Sequence, residues 1–503
     1  MEALSERGVA GRSGSMSELS NPSFLAGLHV FGLLLATFSL LLFLPAASSL
    51  LLGEADLAPF FLAPAILGSA LGYALHRLTP SEELTLYQAM RLSAISWAAL
   101  PLLAMIPMKL AGGTSWLNAY FEAISGLTAT GLSIFADVEA LPKSLILWRS
   151  LLQWFGGVGV IVLFLSVLAR PGMLANRLYL SEARREKIRP SVVGTVRRIW
   201  WIYALYTALG IFLFHLSGMP LFDAINHSMT AIATGGFSTR NRSLAFYGSP
   251  LVEIIAILMM ALGGISFGVH YGLLVRMENP LHNPEVRAML AILALFVPSI
   301  LIYLLASSSM GALDAIRFSL FESVSALSGT GFTIAPLYGQ TKPYGELMKF
   351  LLTILMLIGG GYGSTSSAIK LFRLVLVFKY IRWAFRKELF PSVVFPLRFR
   401  DKEIEHEEIL EAFRFILLYM CSLAICTAIL IAFGFDVGDS LFECASAQGN
   451  VGLSVGITSG SLPLIPKLVL IFEMWIGRLE IIPVLVLMRA LRDALRRETL
   501  PMP

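Results

Sequence analysis

Four short segments of this chain offer the same chemistry: backbone carbonyl oxygens held at a glycine-ended turn, where a cation can exchange its water for them. They run from Phe121 to Ser133, Phe222 to Ser238, Phe321 to Thr333 and Phe442 to Ser454. Each closes on Gly, then Leu or Phe, then Ser or Thr. In three of them Phe-Glu stands ten residues before the glycine, and the second reads as four residues longer. A dehydrating cation needs several oxygens at close range, which carbonyls from several loops supply together. Glycine allows backbone angles that aim them without a crowding Cβ. The cation-contacting residues are therefore assigned as Ala129, Thr130 and Gly131; Thr234, Gly235 and Gly236; Gly329, Thr330 and Gly331; and Asn450, Val451 and Gly452. The plainer account is that each segment is an ordinary helix end, since glycine commonly follows one. Four copies placed alike favour the ion-binding reading.

Such segments need a scaffold. Of the 503 residues 56% are hydrophobic and 14% charged, with mean hydropathy +0.75, against roughly a quarter charged in a soluble domain. Apolar stretches of spanning length, about 20 residues, flank every segment: 92 to 111 and 145 to 169, 199 to 218 and 250 to 275, 287 to 306 and 346 to 378, 412 to 434 and 464 to 488. The unit is helix, re-entrant segment, helix. A glycine-ended segment too short to cross the bilayer must lie in protein or beside water. Four units in one chain can close around a single axis, the geometry of an ion pore.

The expected architecture is an all-α integral membrane protein. A polar segment, 1–22, precedes two additional helices in 23–80; repeats follow over 81–185, 186–280, 281–400 and 401–503, the last with a basic tail. The stretch from Ser23 to Leu52 is too long for the core of a signal peptide and is read as a retained span. Basic clusters at Arg170–Arg198, Arg382–Arg414 and Arg489–Arg497 predict that these loops and both termini are cytoplasmic. Because the basic residues sit in loops between apolar stretches, nucleic acid is not an expected partner; the lipid bilayer is. Cys421, Cys426 and Cys444 form no metal-ligand pattern and read as reduced packing residues. No cofactor is expected. No His-Glu-x-x-His, serine-nucleophile setting or aspartate pair suggests an enzyme.

The second helix of the third repeat is interrupted by Gly359, Gly360, Gly361, Gly363, Ser364, Thr365, Ser366 and Ser367. So many glycines weaken a helix, and hydroxyls can satisfy the freed backbone or line water. The break, with Lys370 just beyond it, falls halfway along the repeat's last crossing, a place where a gate can sit. The run lacks the Gly-Lys-Ser/Thr of a phosphate loop. Gly156, Gly157 and Gly159 read as close-packing positions. Arg478, inside the last apolar stretch, must face the bundle interior; a structural ion pair with Glu473 or Glu480 is the alternative to a role at the gate. Glu122, Asp223, Glu322 and Glu443 either concentrate cations at the mouth or cap the pore-helix starts, and the capping reading is preferred. His215, His227 and His270 read as packed and neutral.

At these residues the sequence resembles the TrkH/KtrB/HKT superfamily of potassium transporters over nearly the whole chain after residue 23. The stretches Gln153–Gly159, Leu262–Tyr271, Gly359–Ser367 and Gly477–Glu480 carry the likeness beyond the four segments, and the two extra helices match the TrkH branch. The resemblance implies potassium uptake across a bacterial cytoplasmic (inner) membrane through a gated pore, with K+ the transported ion at a four-glycine selectivity filter. It implies a loop obstructing the pore at 359–367, contacted by Arg478. It also implies a homodimer with one pore per subunit and a cytoplasmic nucleotide-binding partner of the TrkA type. In plant relatives serine at the first filter glycine goes with sodium preference, so Gly131 argues for potassium. A sodium-permeable or ion-coupled (K+/Na+ or K+/H+) transporter of the same fold is the alternative.

Overall fold

The computed structural model describes residues 22–81, 83–159, 177, 180–181, 191–307, 310–335, 344–390, 397–399 and 402–499. The polar segment before Pro22, the stretch expected to extend the second helix of repeat 1 to residue 169, and most of the Arg170–Arg198 basic loop lie outside them. Almost everything described is helical. A two-residue antiparallel strand pair, Arg398–Phe399 with Lys402–Glu403, is the small departure from the all-α expectation.

Among the described residues six helical stretches are long and apolar enough to cross a membrane, or seven with one bent pair counted as a span. The first is α1 (Pro22–Leu40) continued by α2 (Phe43–Leu51), followed by α3 (Ala58–Leu78). α1 and α3 touch backbone to backbone at Gly32 and Gly72. A Cβ on Gly32 would lie 2.6 Å from the Gly72 oxygen, the close approach that small residues permit between membrane helices. Between α2 and α3, Glu54 accepts the N–H groups of Lys143 (2.8 Å) and Ser144 (3.0 Å). Its charge sits on the positive end of the helix that begins at Lys143 and ties the extra pair to repeat 1.

The repeats share one plan. Repeat 1 has α4 (Leu86–Gly112), a short α5 (Trp116–Leu127) and α6 (Lys143–Val158); repeat 2 has α7 (Val192–Leu216), α8 (Leu221–Ile232), α9 (Pro250–Gly264) and α10 (Phe267–Tyr271). Repeat 3 has α11 (Pro284–Ser307), α12 (Ala312–Ser328), α13 (Glu346–Ile358) and α14 (Leu371–Leu389). Repeat 4 has α15 (His406–Ala432), α16 (Val437–Gly449), α17 (Leu464–Arg478) and α18 (Ile482–Thr499). Of the first helices α11 is the most exposed: its apolar window, mean hydropathy 2.6, is only 17% buried. The short helices α5, α8, α12 and α16 are the core. Phe121, Phe321 and Phe442, the phenylalanines of the Phe-Glu pairs, are wholly buried there.

The second helices depart from the continuous spans expected. α6 stops at Gly159, whose φ is +105°. α9 turns by 103° into α10. α13 gives way to the loop 359–370, and α17 breaks at 479–481 before α18. The interruption expected in repeat 3 alone thus has counterparts in repeats 2 and 4, and in repeat 1 the described helix ends at Gly159.

Polar pairs join successive repeats near the starts of the second helices. Glu253 of α9 meets Arg317 of α12 at 2.6 Å, Lys349 of α13 pairs with Asp439 of α16, and Lys467 of α17 donates to Asn118 of α5 at 2.5 Å. Repeats 1 and 2 are joined instead through Asn241, which accepts the Val138 N–H at 2.6 Å. Lys349 is 2% exposed. Lys349→Met should therefore lower the thermal unfolding midpoint of the detergent-solubilised protein, at a cost of about 3 kcal/mol for stranding a carboxylate. An unchanged midpoint would mean that Asp439 is fully hydrated without its partner.

Candidate functional site

The four core helices end in one conformation. Residues Ala129, Thr234, Gly329 and Asn450 have φ of +55°, +51°, +76° and +53°. The next N–H reaches back to the carbonyl five residues earlier: Thr130 to Ser125 (2.9 Å), Gly235 to Thr230 (2.9 Å), Thr330 to Ser325 (3.0 Å) and Val451 to Ser446 (2.9 Å). This is the left-handed cap with a six-to-one bond that closes many helices. Helix capping and cation contact were set against each other in the sequence; the structure shows the cap at all four ends and brings the twelve assigned residues together just beyond it.

Two residues after each cap stands Gly131, Gly236, Gly331 or Gly452, with φ of +95°, +75°, +80° and +95°. Each lies against the carbonyl of the next repeat. An added Cβ would fall 2.2 Å from the Gly235 oxygen at Gly131, 2.0 Å from Thr330 at Gly236, 1.9 Å from Val451 at Gly331 and 2.4 Å from Thr130 at Gly452. The last contact returns to the first repeat, so the chain closes a ring of four glycines and four carbonyls. Four helix C-termini, the negative ends of their dipoles, converge on it. Gln153 of α6 braces the second corner, donating to the Gly235 carbonyl (2.6 Å) and accepting from Phe237 N–H (3.0 Å).

Of the four acidic residues only Asp223 lies in the first turn of its core helix; the three glutamates do not cap theirs. Ser115 and Asp436 do that for α5 and α16, while Glu122, Glu322 and Glu443 lie well inside their helices. Each reaches the segment leaving the ring. Glu122 accepts Ser133 Oγ (2.9 Å) and Ile134 N–H (2.9 Å); Glu322 accepts Thr333 Oγ1 (2.6 Å), Ile334 N–H (3.0 Å) and the Tyr344 hydroxyl (3.1 Å). Glu443 accepts Ser454 Oγ (2.9 Å), Val455 N–H (3.1 Å) and Thr458 N–H (3.0 Å). In repeat 2 the counterpart is His227, whose Nε2 meets Ser238 Oγ at 2.9 Å. Counting nine residues back from each glycine finds Glu122, His227, Glu322 and Glu443 alike, so the second segment carries no four-residue insertion at this point. Aligning it on Phe222-Asp223 hid this. Asp223, in the first turn of α8, holds Arg240 (2.8 Å) and Tyr247 (2.7 Å) instead. Buried Arg149 pairs with Glu122 at 2.7 Å and stacks 4.1 Å from the Phe237 ring; nothing in its spacing singled it out.

Below the ring lies the loop 359–370. Thr365 Oγ1 meets the Thr234 hydroxyl (3.1 Å) and donates toward the carbonyls of Ile232 (3.0 Å) and Gly263 (2.9 Å). Gly361 N–H bonds the Gly264 carbonyl at 2.8 Å, Phe267 N–H the Gly363 carbonyl at 3.2 Å, and Tyr362 N–H the Glu285 carboxylate at 2.6 Å. A Cβ on Gly360 would stand 2.6 Å from the Gly264 oxygen. Arg478 ties loop to helix: it donates to the Thr365 carbonyl (2.8 Å) and Ser367 Oγ (3.2 Å), and to the carbonyls of Gly156 (2.5 Å) and Gly157 (2.7 Å) at the end of α6. It pairs with neither Glu473 nor Glu480. Glu480 takes Lys370 and Arg373 instead. Residues at both ends of that link, Ala368, Lys370, Glu480 and Ile481, have φ between +58° and +72°, a conformation that costs a non-glycine residue energy. Beyond the loop a cavity of about 300 Å³ is lined by Glu285, Tyr362, Phe372, Arg373, Glu411 and Glu480 among others.

The packing role expected of Gly156 and Gly157 is explicit: a Cβ on Gly156 would fall 1.8 Å from the Leu127 oxygen, and one on Gly157 2.9 Å from Ala233. Among the described residues no group of His, Cys, Asp and Glu is arranged to hold a metal ion. What the site offers is neutral oxygen in a ring, backed by helix dipoles, with a hydrogen-bonded loop packed against one of its corners.

Known proteins resemble this one along most of its length. Residues 74–495 match the TrkH family model, described as a cation transport protein. An uncharacterized cation transporter of Methanocaldococcus jannaschii is 37% identical over 467 residues, 92% of this chain and 95% of that protein. The Trk system potassium uptake protein TrkH of Salmonella typhimurium is 30% identical over 481 residues, covering 92% and 98%. The crystal structure of the potassium transporter TrkH from Vibrio parahaemolyticus matches with a TM-score of 0.80 at 28% identity, over 92% of this chain and 98% of that one.

Proposed function

The chain belongs to the TrkH family of membrane cation transport proteins, and on that premise we propose that it conducts potassium ions through the glycine–carbonyl ring, with the loop beneath as gate. The closed ring, each glycine seated against the next repeat's carbonyl, is the observation that carries this reading. Its oxygens substitute for a cation's hydration shell, and the converging helix C-termini lower the energy of a positive charge there. The filter comprises Ala129, Thr130, Gly131, Thr234, Gly235, Gly236, Gly329, Thr330, Gly331, Asn450, Val451 and Gly452. The relatives named as potassium uptake proteins and glycine rather than serine at Gly131 support potassium over sodium. An inward-negative potential supplies about 2.3 kcal/mol per charge per 100 mV, so no chemical step is needed.

The gate comprises Gly359, Gly360, Gly361, Gly363, Ser364, Thr365, Ser366 and Ser367, with Lys370 and Arg478 holding it. Thr365 touching Thr234 supports a loop lodged directly under the filter. A homodimer, a cytoplasmic TrkA-type regulator, placement in a cytoplasmic membrane and cytoplasmic termini complete the proposal; the relatives' Trk-system names and the basic loops support them.

Potassium or rubidium flux into liposomes holding the purified chain tests conduction, and reversal potentials in mixed K+ and Na+ test selectivity. A potential that follows Na+ would replace the potassium reading with the sodium-permeable one. The carboxylate clamps give a graded test. Glu322→Gln keeps an acceptor for Thr333 and Ile334 and should retain most flux and selectivity. Glu322→Ala strands three donors at about 1–3 kcal/mol each, and should cut the K+ preference roughly tenfold. Equal behaviour of the two variants would remove the clamp from the mechanism.

A further inference from the structure

Glu473 lies on α17, 3% exposed, and neither the ring nor the gate uses it. Its Oε1 accepts the Ser422 hydroxyl of α15 at 2.8 Å, while Oε2 has no hydrogen-bond partner among the described residues. The surroundings are neutral. From α15, Tyr419 and Cys426 are close enough to interact electrostatically with the carboxyl, and Cys426 in turn meets Cys444 of α16. Gln448 of α16 donates to the Tyr419 carbonyl at 2.9 Å, and its own oxygen and the Tyr419 hydroxyl are unpartnered. Charged groups on the same and adjoining helices are engaged elsewhere. Lys467 is with Asn118 of α5, Arg478 with the loop and α6, Glu443 with Ser454 and Thr458, and Asp439 with Lys349.

An ionised carboxylate buried in a membrane protein without a cation is strongly disfavoured, and an intramembrane ionisable group is a functional candidate by default. Two occupants would compensate it. A metal cation finds no set of ligands here, since among the described residues no group of His, Cys, Asp and Glu is arranged to hold one and two thiols stand beside the oxygens. A proton needs only Oε2.

We propose that Glu473 is a proton-binding site, occupied in this conformation, through which pH acts on the fourth corner of the ring. The link is short: Asn450 Nδ2 donates to the carbonyl of Met474, the neighbour of Glu473, at 2.9 Å, and to Thr130 Oγ1 at 2.8 Å. A charge on Glu473 draws water into the contact between α15 and α17 and loosens the helix that positions Asn450.

Infrared difference spectra of the full chain in lipid, acid minus alkaline, should contain a protonated-carboxyl stretch that Glu473→Gln removes. Rubidium flux in the same liposomes should fall as pH rises. Glu473→Gln, neutral at every pH and still able to accept from Ser422, should hold the acid-side flux throughout. Ser422→Ala removes the donor that favours the carboxylate and should move the midpoint of both readouts to higher pH. A band that survives Glu473→Gln overturns the proposal, as does a pH-independent wild-type flux or a Glu473→Gln profile matching wild type. The infrared arm stands whichever ion is carried, so its failure is separable from failure of the potassium reading.

Discussion

Gly331→Ala should abolish potassium flux while leaving the protein membrane-inserted and folded. The added methyl falls 1.9 Å from the Val451 carbonyl oxygen, at a φ of +80°. A left-handed alanine costs about 1–2 kcal/mol and overpacking a further ~1–3 kcal/mol. The cheapest relief is to push the Val451 carbonyl out of the ring, because the scaffold behind it is tied down by Ser446 and by the Glu443 clamp. Flux should drop by at least roughly tenfold, each ~1.4 kcal/mol of lost ion binding being a factor of ten. Isotope uptake in liposomes, beside a Gly218→Ala control with nothing within 4 Å of its added Cβ, measures it. Flux at the wild-type level in Gly331→Ala would mean that ions pass elsewhere.

Arg478→Gln should have the opposite effect and leave the pore leaky without any regulator. Arg478 makes contacts to the Thr365 carbonyl and Ser367 on one side and to the α6 carbonyls on the other. Hydrogen bonds from a charged donor contribute about 1.5–3 kcal/mol each, so removing the guanidinium weakens the strap by several kcal/mol. Even ~1.4 kcal/mol moves a closed-to-open equilibrium tenfold. Resting flux should rise roughly tenfold or more by that relation, with K+ selectivity unchanged because the ring is untouched. Flux unchanged or lower in a correctly folded Arg478→Gln protein would take the gate away from this loop.

The membrane class was legible because hydropathy reports directly on solvent. The all-α expectation needs only the small strand pair at Arg398–Glu403 added. The broken second helices were harder to see. Gly359 to Ser367 announces its break with glycines, but the bend after Gly264 and the break after Arg478 arise where Ile265 and Ile481 pack against core-helix residues and Glu480 is held by Lys370 and Arg373, and local propensity is silent about that. The roles of the carboxylates were misread for a related reason. A Phe-Glu pair ahead of a glycine turn looks like a helix start, yet the N-terminal caps lie several residues earlier, at Ser115 and Asp436. Only the folded-back segment after the ring shows what Glu122, Glu322 and Glu443 hold. His227 is hidden in the same way, because it shares its distance to the glycine with the three glutamates but not their residue type. Arg478 had to find partners inside the bundle, as intramembrane charges do, but helix-end carbonyls as partners leave no mark in a sequence.

The His227 corner has an evolutionary consequence. In an assembly of four identical chains one codon change alters every corner at once, so a variant tolerable at one position must be tolerable at all. Here the corners are written separately in a single gene. An imidazole can replace a carboxylate at one of them, and an arginine can stand beside only Glu122, while the other corners retain their own chemistry. Each corner can change without the other three.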